Sequence, residues 1–237
     1  MHCDKPVLGL AFMEAKTKEK AILAWSGGKD SAMALYEIER TGNYEISALL
    51  TTLTEGYDRI SIHGVRRVLL EQQAASLGIF LEKVFIPINS SNEIYETRMN
   101  EKMTEYAGKG ITSVIYGDIF LEDLRKYREE NLSKMNLNGV FPLWMNNTRK
   151  QAERFVGLGF KAVVTCVDSW AVNKKFAGRE YDGQFLKDLH SNIDPCGENG
   201  EFHTFVHDGP VFRKTVNFKT GETTLREGRF YYCDLLP

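Results

Sequence analysis

The chain has 237 residues, 43% of them hydrophobic and 26% charged, with a formal net charge of −2. That length can bury a full core, as one large domain or two small ones, and the composition is ordinary for a soluble globular protein. A pI near 6.2, with no local cluster of Lys and Arg, argues against nucleic acid as a partner and favours a small molecule over tRNA as substrate.

Cys3, Cys166, Cys196 and Cys233 form no CxxC pair, so neither a zinc ribbon nor a redox dithiol is indicated. Reduced thiols of a cytoplasmic protein fit best. The apolar run Val7 to Met13 is too short to span a bilayer and follows Asp4 and Lys5, which makes it a poor signal sequence and a poor anchor. Met13 is an alternative start, because regular patterning sets in only at Ala21.

The first regular stretch, AILAWSGGKDSAMALYEIER, organises the rest. Small and apolar residues ending at Trp25 predict a buried parallel strand, Ser26 to Ser31 turn the chain, and Ala32, Leu35, Tyr36 and Ile38 lie at helical spacing. Such a strand-to-helix turn points backbone N–H groups and the positive end of a helix dipole at one place, where a phosphate binds well. Gly27 and Gly28 allow close approach of an anion. Ser26 and Ser31 add hydroxyls, and Lys29 adds a mobile charge. The GxxxxGK[ST] spacing of a Walker A loop is absent.

EISALLTT, Glu45 to Thr52, predicts the second strand. Leu53 to Gly64 has no clean period and is expected to be a loop at the carboxyl edge of the sheet. Val65 to Leu77 predicts a helix closed by Gly78, and Leu81 to Ile86 a third strand. Ser90 and Glu93 form a candidate capping box for a helix to about Ala107, and Ser113 to Tyr116 is the fourth strand. Alternating strands and helices of this kind require right-handed crossovers and a parallel sheet covered on both faces. Ligands then sit beyond the carboxyl ends of the strands, where the strand order reverses. With the first and fourth strands adjacent, the motif Ser26 to Ser31, Thr51 and Thr52, and Gly117 and Asp118 are expected to surround one pocket. In that pocket Gly117 would let the ribose and α-phosphate come close.

Beyond this point the pattern changes. Glu122 to Met135 predicts a charged helix, Gly139 to Trp144 a strand or extended segment, Thr148 the cap of a helix, and Lys161 to Val167 a strand. The soft boundary near Leu121 to Leu137 gives an expected division into residues 1–130 and 131–237, packed closely because no flexible linker joins them. In DPCGENGEFHT, Gly197, Asn199 and Gly200 bracket Glu198 and Glu201 on a tight turn that leads into a strand, Phe202 to His207.

SGGKDS resembles the signature of the PP-loop ATP pyrophosphatases, which cleave ATP between the α and β phosphates. Together with GENGEFHTF and the following DGPVF, it is similar to the diphthine–ammonia ligase family over nearly the whole chain from Ala21. The resemblance implies an α/β fold: a Rossmann-like, HUP-type parallel-sheet domain with a smaller α+β substrate domain. It also implies ATP and Mg²⁺ as cofactors, with adenylation of a carboxylate followed by attack of ammonia to give an amide. Carried over by residue, Ser26, Gly27, Gly28, Asp30 and Ser31 would bind pyrophosphate and Mg²⁺, with Asp30 the metal ligand. Glu198, Asn199 and Glu201 would face the substrate or ammonia, one of the two glutamates taking the proton of ammonium. The partners implied are a small-molecule or modified-protein carboxylate and ammonia, with a homodimer as the assembly allowed for.

The chain departs from the family pattern at YDRISIHGVRR and at GENGEFHT, both in the expected substrate pocket. Two rival readings follow: an amide-forming bacterial branch, serving cobalamin salvage or a similar step, and a nucleotide sensor without catalysis. A passive sensor has no need of Asp30 or of the glutamate turn. His63 and Arg66 are candidates for holding a substrate carboxylate or phosphate, or else belong to a solvated first helical turn. Asp168, at a strand end, either lines the substrate cleft or caps the next turn. His203 and His207 lack a third ligand at metal spacing, and Cys166 is expected to be buried and Cys196 exposed.

Overall fold

The computed structural model describes residues 17–60 and 64–237. The predicted position of His63 and the apolar run before Met13 lie outside the described residues.

The first half alternates as expected: β1 (Glu19–Ala24), α1 (Lys29–Thr41), β2 (Tyr44–Thr54), β3 (Arg59–Ile60), α2 (Arg67–Leu77), β4 (Leu81–Ile86), α3 (Asn92–Gly108), β5 (Ser113–Ile115), α4 (Glu122–Ser133) and β6 (Asn138–Val140). The parallel strands run in the order β4-β2-β1-β5-β6, so the order reverses between β1 and β5. Ala21, Ile22 and Leu23 of β1 are fully buried, because the central strand is covered on both faces and reads as a continuous apolar run rather than an alternation. Ala21 and Leu23 pack with α1 and α2, while Ile22 packs with α3 and α4 on the opposite face.

The second half is α5 (Thr148–Gly157), β7 (Lys161–Asp168), a 3₁₀ turn at Lys174–Phe176, α6 (Gly183–Asp188), β8 (Phe202–Asp208), β9 (Lys219–Arg226) and β10 (Phe230–Leu236). Its antiparallel sheet has the order β8-β7-β10-β9. Phe155, Tyr181, Phe185 and Phe202 fill the space beneath it, each less than 2% exposed. Their edge-to-face contacts include Phe185 on Phe202 with centroids 5.3 Å apart. One continuous apolar cluster takes in Leu23 and Leu35 of the first sheet's layer and Val164, Phe202 and Phe205 of the second, so the two sheets share a core.

Several local expectations are corrected. β2 continues to Thr54 and folds back onto β3, so Leu53 to Gly64 is partly a hairpin; β3 occupies the edge of β2 beyond the point where β1 leaves it. Ser91 rather than Ser90 caps α3, accepting a hydrogen bond from Ile94 N at 3.4 Å, while Ser90 N is turned back on Pro87 O. Asn147 rather than Thr148 caps α5, through Oδ1 and Lys150 N at 3.0 Å. Of Gly139 to Trp144, only the start is strand; β6 pairs with β5, so the first sheet continues past residue 130. Cys196 is buried, not exposed, at 2%. Among the described residues no helix is long and apolar enough to cross a membrane.

Candidate active site

A cleft of about 710 Å³ opens beyond the carboxyl ends of β1, β2 and β5, where the strand order reverses. Its walls include Ser26, Gly28, Lys29, Asp30 and Ser31 from the motif, Thr51 and Thr52 from β2, and Gly117 and Asp118 after β5. The second half contributes Glu198, Phe202 and Thr204. Three segments far apart in sequence thus meet at one place, as the switch-point argument requires.

The motif loop is held by hydroxyls other than that of its own cap residue. Gly28 is the N-cap of α1 and offers no side-chain cap, so the first turn of the helix faces the cleft without an internal carboxylate or hydroxyl of its own cap residue. Ser31 Oγ donates to Gly28 O at 2.9 Å and lies 3.3 Å from Ser26 Oγ, while Gly28 N rests on Ser26 Oγ at 3.2 Å. Lys29 N donates to Thr204 Oγ1 at 3.1 Å, so a residue of β8 caps α1 from the other sheet.

Gly27 does not line the cleft. It has φ +75°, and a Cβ there would stand 2.7 Å from Gln73 Oε1 and from Leu70 Cδ2 of α2. Gly117 lines the cleft, but its need for glycine has a different source from the one expected. A Cβ at Gly117 would lie 2.8 Å from the backbone carbonyl of Asp30, so the residue is small because β5's exit packs on the first turn of α1.

Charge in the cleft is dense and partly compensated. Lys29, 4% exposed, donates from Nζ to Asp30 Oδ2 at 2.7 Å. Burial pulls the Lys29 ammonium down, but Asp30, Cys196 and Glu198 outweigh it and hold the pKa above its usual value. Burial pushes the Asp30 carboxyl up and, with repulsion from Asp194 and Asp118, outweighs Lys29. Asp118 pairs with Arg128 of α4, Oδ2 to Nε at 2.7 Å, and the guanidinium stacks 4.2 Å from the centre of the Tyr116 ring. Burial also raises Asp118, with Arg128 opposing.

Glu198 is a third acid facing the cleft whose pKa is raised. Its Oε1 accepts from Ile119 N at 2.7 Å, and burial, then repulsion from Asp30 and Asp118, raises its pKa to about 7. Such a carboxyl can accept or release a proton near neutral pH.

Glu201 behaves differently. It is 8% exposed, and its two oxygens accept from Asp194 N, Asn199 N and Asn199 Nδ2. Asp194 in turn accepts from Glu198 N at 2.8 Å, and Tyr181 OH donates to Pro195 O at 2.6 Å. Glu201 and Asn199 therefore shape the turn from within, and the turn presents Glu198.

Arg66 and Asp168 stand away from the cleft. Arg66 shares Asp234 of β10 with Arg59, at 2.6 and 2.7 Å. Asp168 pairs with Arg229 and accepts from Trp170 N at 3.0 Å, which is the turn-capping alternative. Burial pushes Cys166 up to about 12, so its thiol is not a nucleophile. Among the described residues no group of three or more His, Cys, Asp or Glu could hold a metal. Three residues of the site went unread in the sequence: Gln73, Thr204 and Arg128. Gln73 alone left a trace, a polar residue on the apolar stripe Leu69, Leu70, Ala74, Leu77.

The family models described as the diphthamide synthase N-terminal and C-terminal domains match residues 19–137 and 147–234. The chain is 26% identical over 210 residues to the diphthine–ammonia ligase of Schizosaccharomyces pombe, covering 81% of this chain and 34% of that protein. It is 28% identical over 108 residues to the Bos taurus enzyme of that name, covering 43% and 40% respectively. For the human protein the figures are 27% over 111 residues, covering 44% and 42%. The chain spans between a third and under half the length of these curated relatives.

Proposed function

From the premise that the chain belongs to the diphthamide synthase family, matched across both of that family's domains, we propose that it is an ATP-dependent, AMP-forming amide ligase. The observation that carries the proposal is the meeting in one cleft of the N-terminus of α1, the Lys29–Asp30 pair and the near-neutral carboxyl of Glu198. A nucleotide sensor would not need Glu198 poised opposite the phosphate loop.

In the proposed reaction an oxygen of the substrate carboxylate attacks the α-phosphorus of ATP, the bond to the β-phosphate oxygen breaks, and pyrophosphate leaves. Ser26, Gly28, Ser31 and the first turn of α1 hold the pyrophosphate, and Lys29 neutralises its developing charge. Ammonium then gives one proton to Glu198 and attacks the acyl carbon as ammonia. The bond to AMP breaks, the amide forms, and the second proton departs to solvent. Glu201 and Asn199 position Glu198 rather than touching substrate.

Asp30 and Asp118 both line the cleft, and burial, with repulsion from Asp194 and Asp118 at Asp30, works against their charged forms, so these two carboxylates would hold a divalent cation that takes its other ligands from phosphate and water. Bound Mg²⁺ would supply further charge neutralisation at the phosphates. The relatives are named diphthine–ammonia ligases, and a diphthine-bearing protein is accordingly the first substrate to try.

The test is ATP–pyrophosphate exchange with that substrate, or with a small-molecule extract of the host, followed by addition of ammonium. Substrate-dependent exchange, then AMP and amide in equal amounts, is the expected result, and Asp30→Ala should abolish both. Formation of ADP instead would overturn the proposal.

A further inference from the structure

Gln73 is fully buried, and its side chain is at the centre of a polar network that joins three elements. Its Oε1 accepts from the Trp25 indole Nε1 at 3.0 Å, and its Nε2 donates to Gly27 O at 3.0 Å and to Val206 O at 2.6 Å. An indole can only donate and backbone carbonyls can only accept, so this network admits one orientation of the amide. Gly27 O also accepts from Val206 N at 2.9 Å.

Two donors therefore hold the Gly27 carbonyl on the side of α2 and β8. The described chain contains no cis peptide bond, and in a trans peptide the carbonyl and the following N–H point in opposite directions. The N–H of Gly28 is thereby turned away from Gln73 and toward the cleft that Gly28 lines, where it meets Ser26 Oγ at 3.2 Å.

We propose that Gln73 is a positioning residue that fixes the Gly27–Gly28 peptide so that the Gly28 N–H faces the pyrophosphate. The inference rests on the phosphate-site reading above. It makes phosphate affinity depend on the second sheet, because the same amide group that turns the peptide also grips Val206. Without the Nε2 donor the Gly27 carbonyl keeps one partner, Val206 N, instead of two, and the peptide is held less firmly with its N–H toward the cleft.

The probe is inorganic pyrophosphate, followed by calorimetry and by the amide NMR signals of the intact chain. In the native protein, pyrophosphate is expected to shift the Gly28 amide together with those of Asp30 and Ser31. Gln73→Leu should weaken pyrophosphate at least tenfold and abolish the Gly28 shift while leaving the Asp30 and Ser31 shifts in place. Gln73→Glu keeps the side-chain shape and sets oxygens against two carbonyls, so it should lose affinity to at least the same degree. Equal affinity and an unchanged Gly28 shift in a folded Gln73→Leu variant would overturn the proposal. If that variant does not fold, the native protein still decides: pyrophosphate bound with no Gly28 shift would overturn the role of Gln73 alone. Absence of any pyrophosphate binding would instead remove the phosphate-site reading on which the proposal stands.

Discussion

At the scale of the residue, the site separates two glutamates that the motif presents as equals. Glu198 and Glu201 lie three positions apart on one turn, yet one reaches the cleft and the other is consumed by three donors of its own loop. Glu198→Gln is expected to preserve the contact with Ile119 N, since an amide oxygen accepts as a carboxylate does. Nucleotide affinity should stay within a few-fold, while amide formation falls by about a hundredfold or more, the scale of a lost general base. The same substitution makes a prediction about pH. The folded protein keeps the proton on Glu198 up to about 7, whereas an ordinary glutamate releases it near 4.5. Between those values the folded state binds the extra proton, so stability falls as pH rises through the window. Thermal melts should show Glu198→Gln gaining on the native protein from pH 4.5 to 7 and holding its gain above that; a constant difference would refute the shift. Spacing could identify the turn but not divide the roles, because which carboxyl points inward depends on Asp194, Asn199 and Tyr181.

At the scale of the element, strands and helices were legible where a single periodicity ran unbroken. β1 and β7 are largely apolar runs in the sequence and strands in the structure, β4 is a strand in spite of Glu82 and Lys83, and α1 and α2 follow their apolar stripes. Ends were less legible, since caps depend on where the preceding turn leaves the chain: Ser91 and Asn147 take roles that Ser90 and Thr148 could equally fill by composition. The join of β5 to α1 is the tightest of these local arrangements. Gly117→Ala would set a methyl 2.8 Å from the Asp30 backbone, which neither side can yield without moving the phosphate loop. A loss of about 1–3 kcal/mol in denaturant unfolding is expected, as for overpacked cores, together with weaker nucleotide binding. Unchanged stability would mean that the strand exit has room that this packing denies it.

At the scale of the whole molecule, the two sheets are fastened at several points besides their shared core. Val206 and Thr204 of β8 hold the loop from Gly27 to Lys29, and Asp234 of β10 holds Arg59 and Arg66 beside the β3 hairpin. Partial burial works against the Asp234 carboxylate, but Arg66 and Arg59 hold its pKa far below the ordinary 3.8. A depressed acid contributes stability above its unfolded value and loses it as pH falls below. Asp234→Asn should therefore be less stable than the native protein at pH 7, with the gap closing as melts are taken below pH 4. A gap that persists in acid would show that the asparagine merely packs badly.

The sequence by itself determined the parallel α/β class, the strand-to-helix turn at Ser26 to Ser31 and the tight turn that carries Glu198 and Glu201. These follow from short-range spacing, which backbone sterics and hydrogen bonding translate directly into local structure. Only the tertiary structure decided that β8 caps α1, that Gln73 turns the Gly27 carbonyl, that Arg128 neutralises Asp118 and that Glu198 faces the cleft. Each of those depends on contacts between residues tens to nearly two hundred positions apart or, for Asp118 and Arg128, on how α4 packs against the end of β5. Such contacts are set by packing of the shared core and leave almost no trace in local sequence.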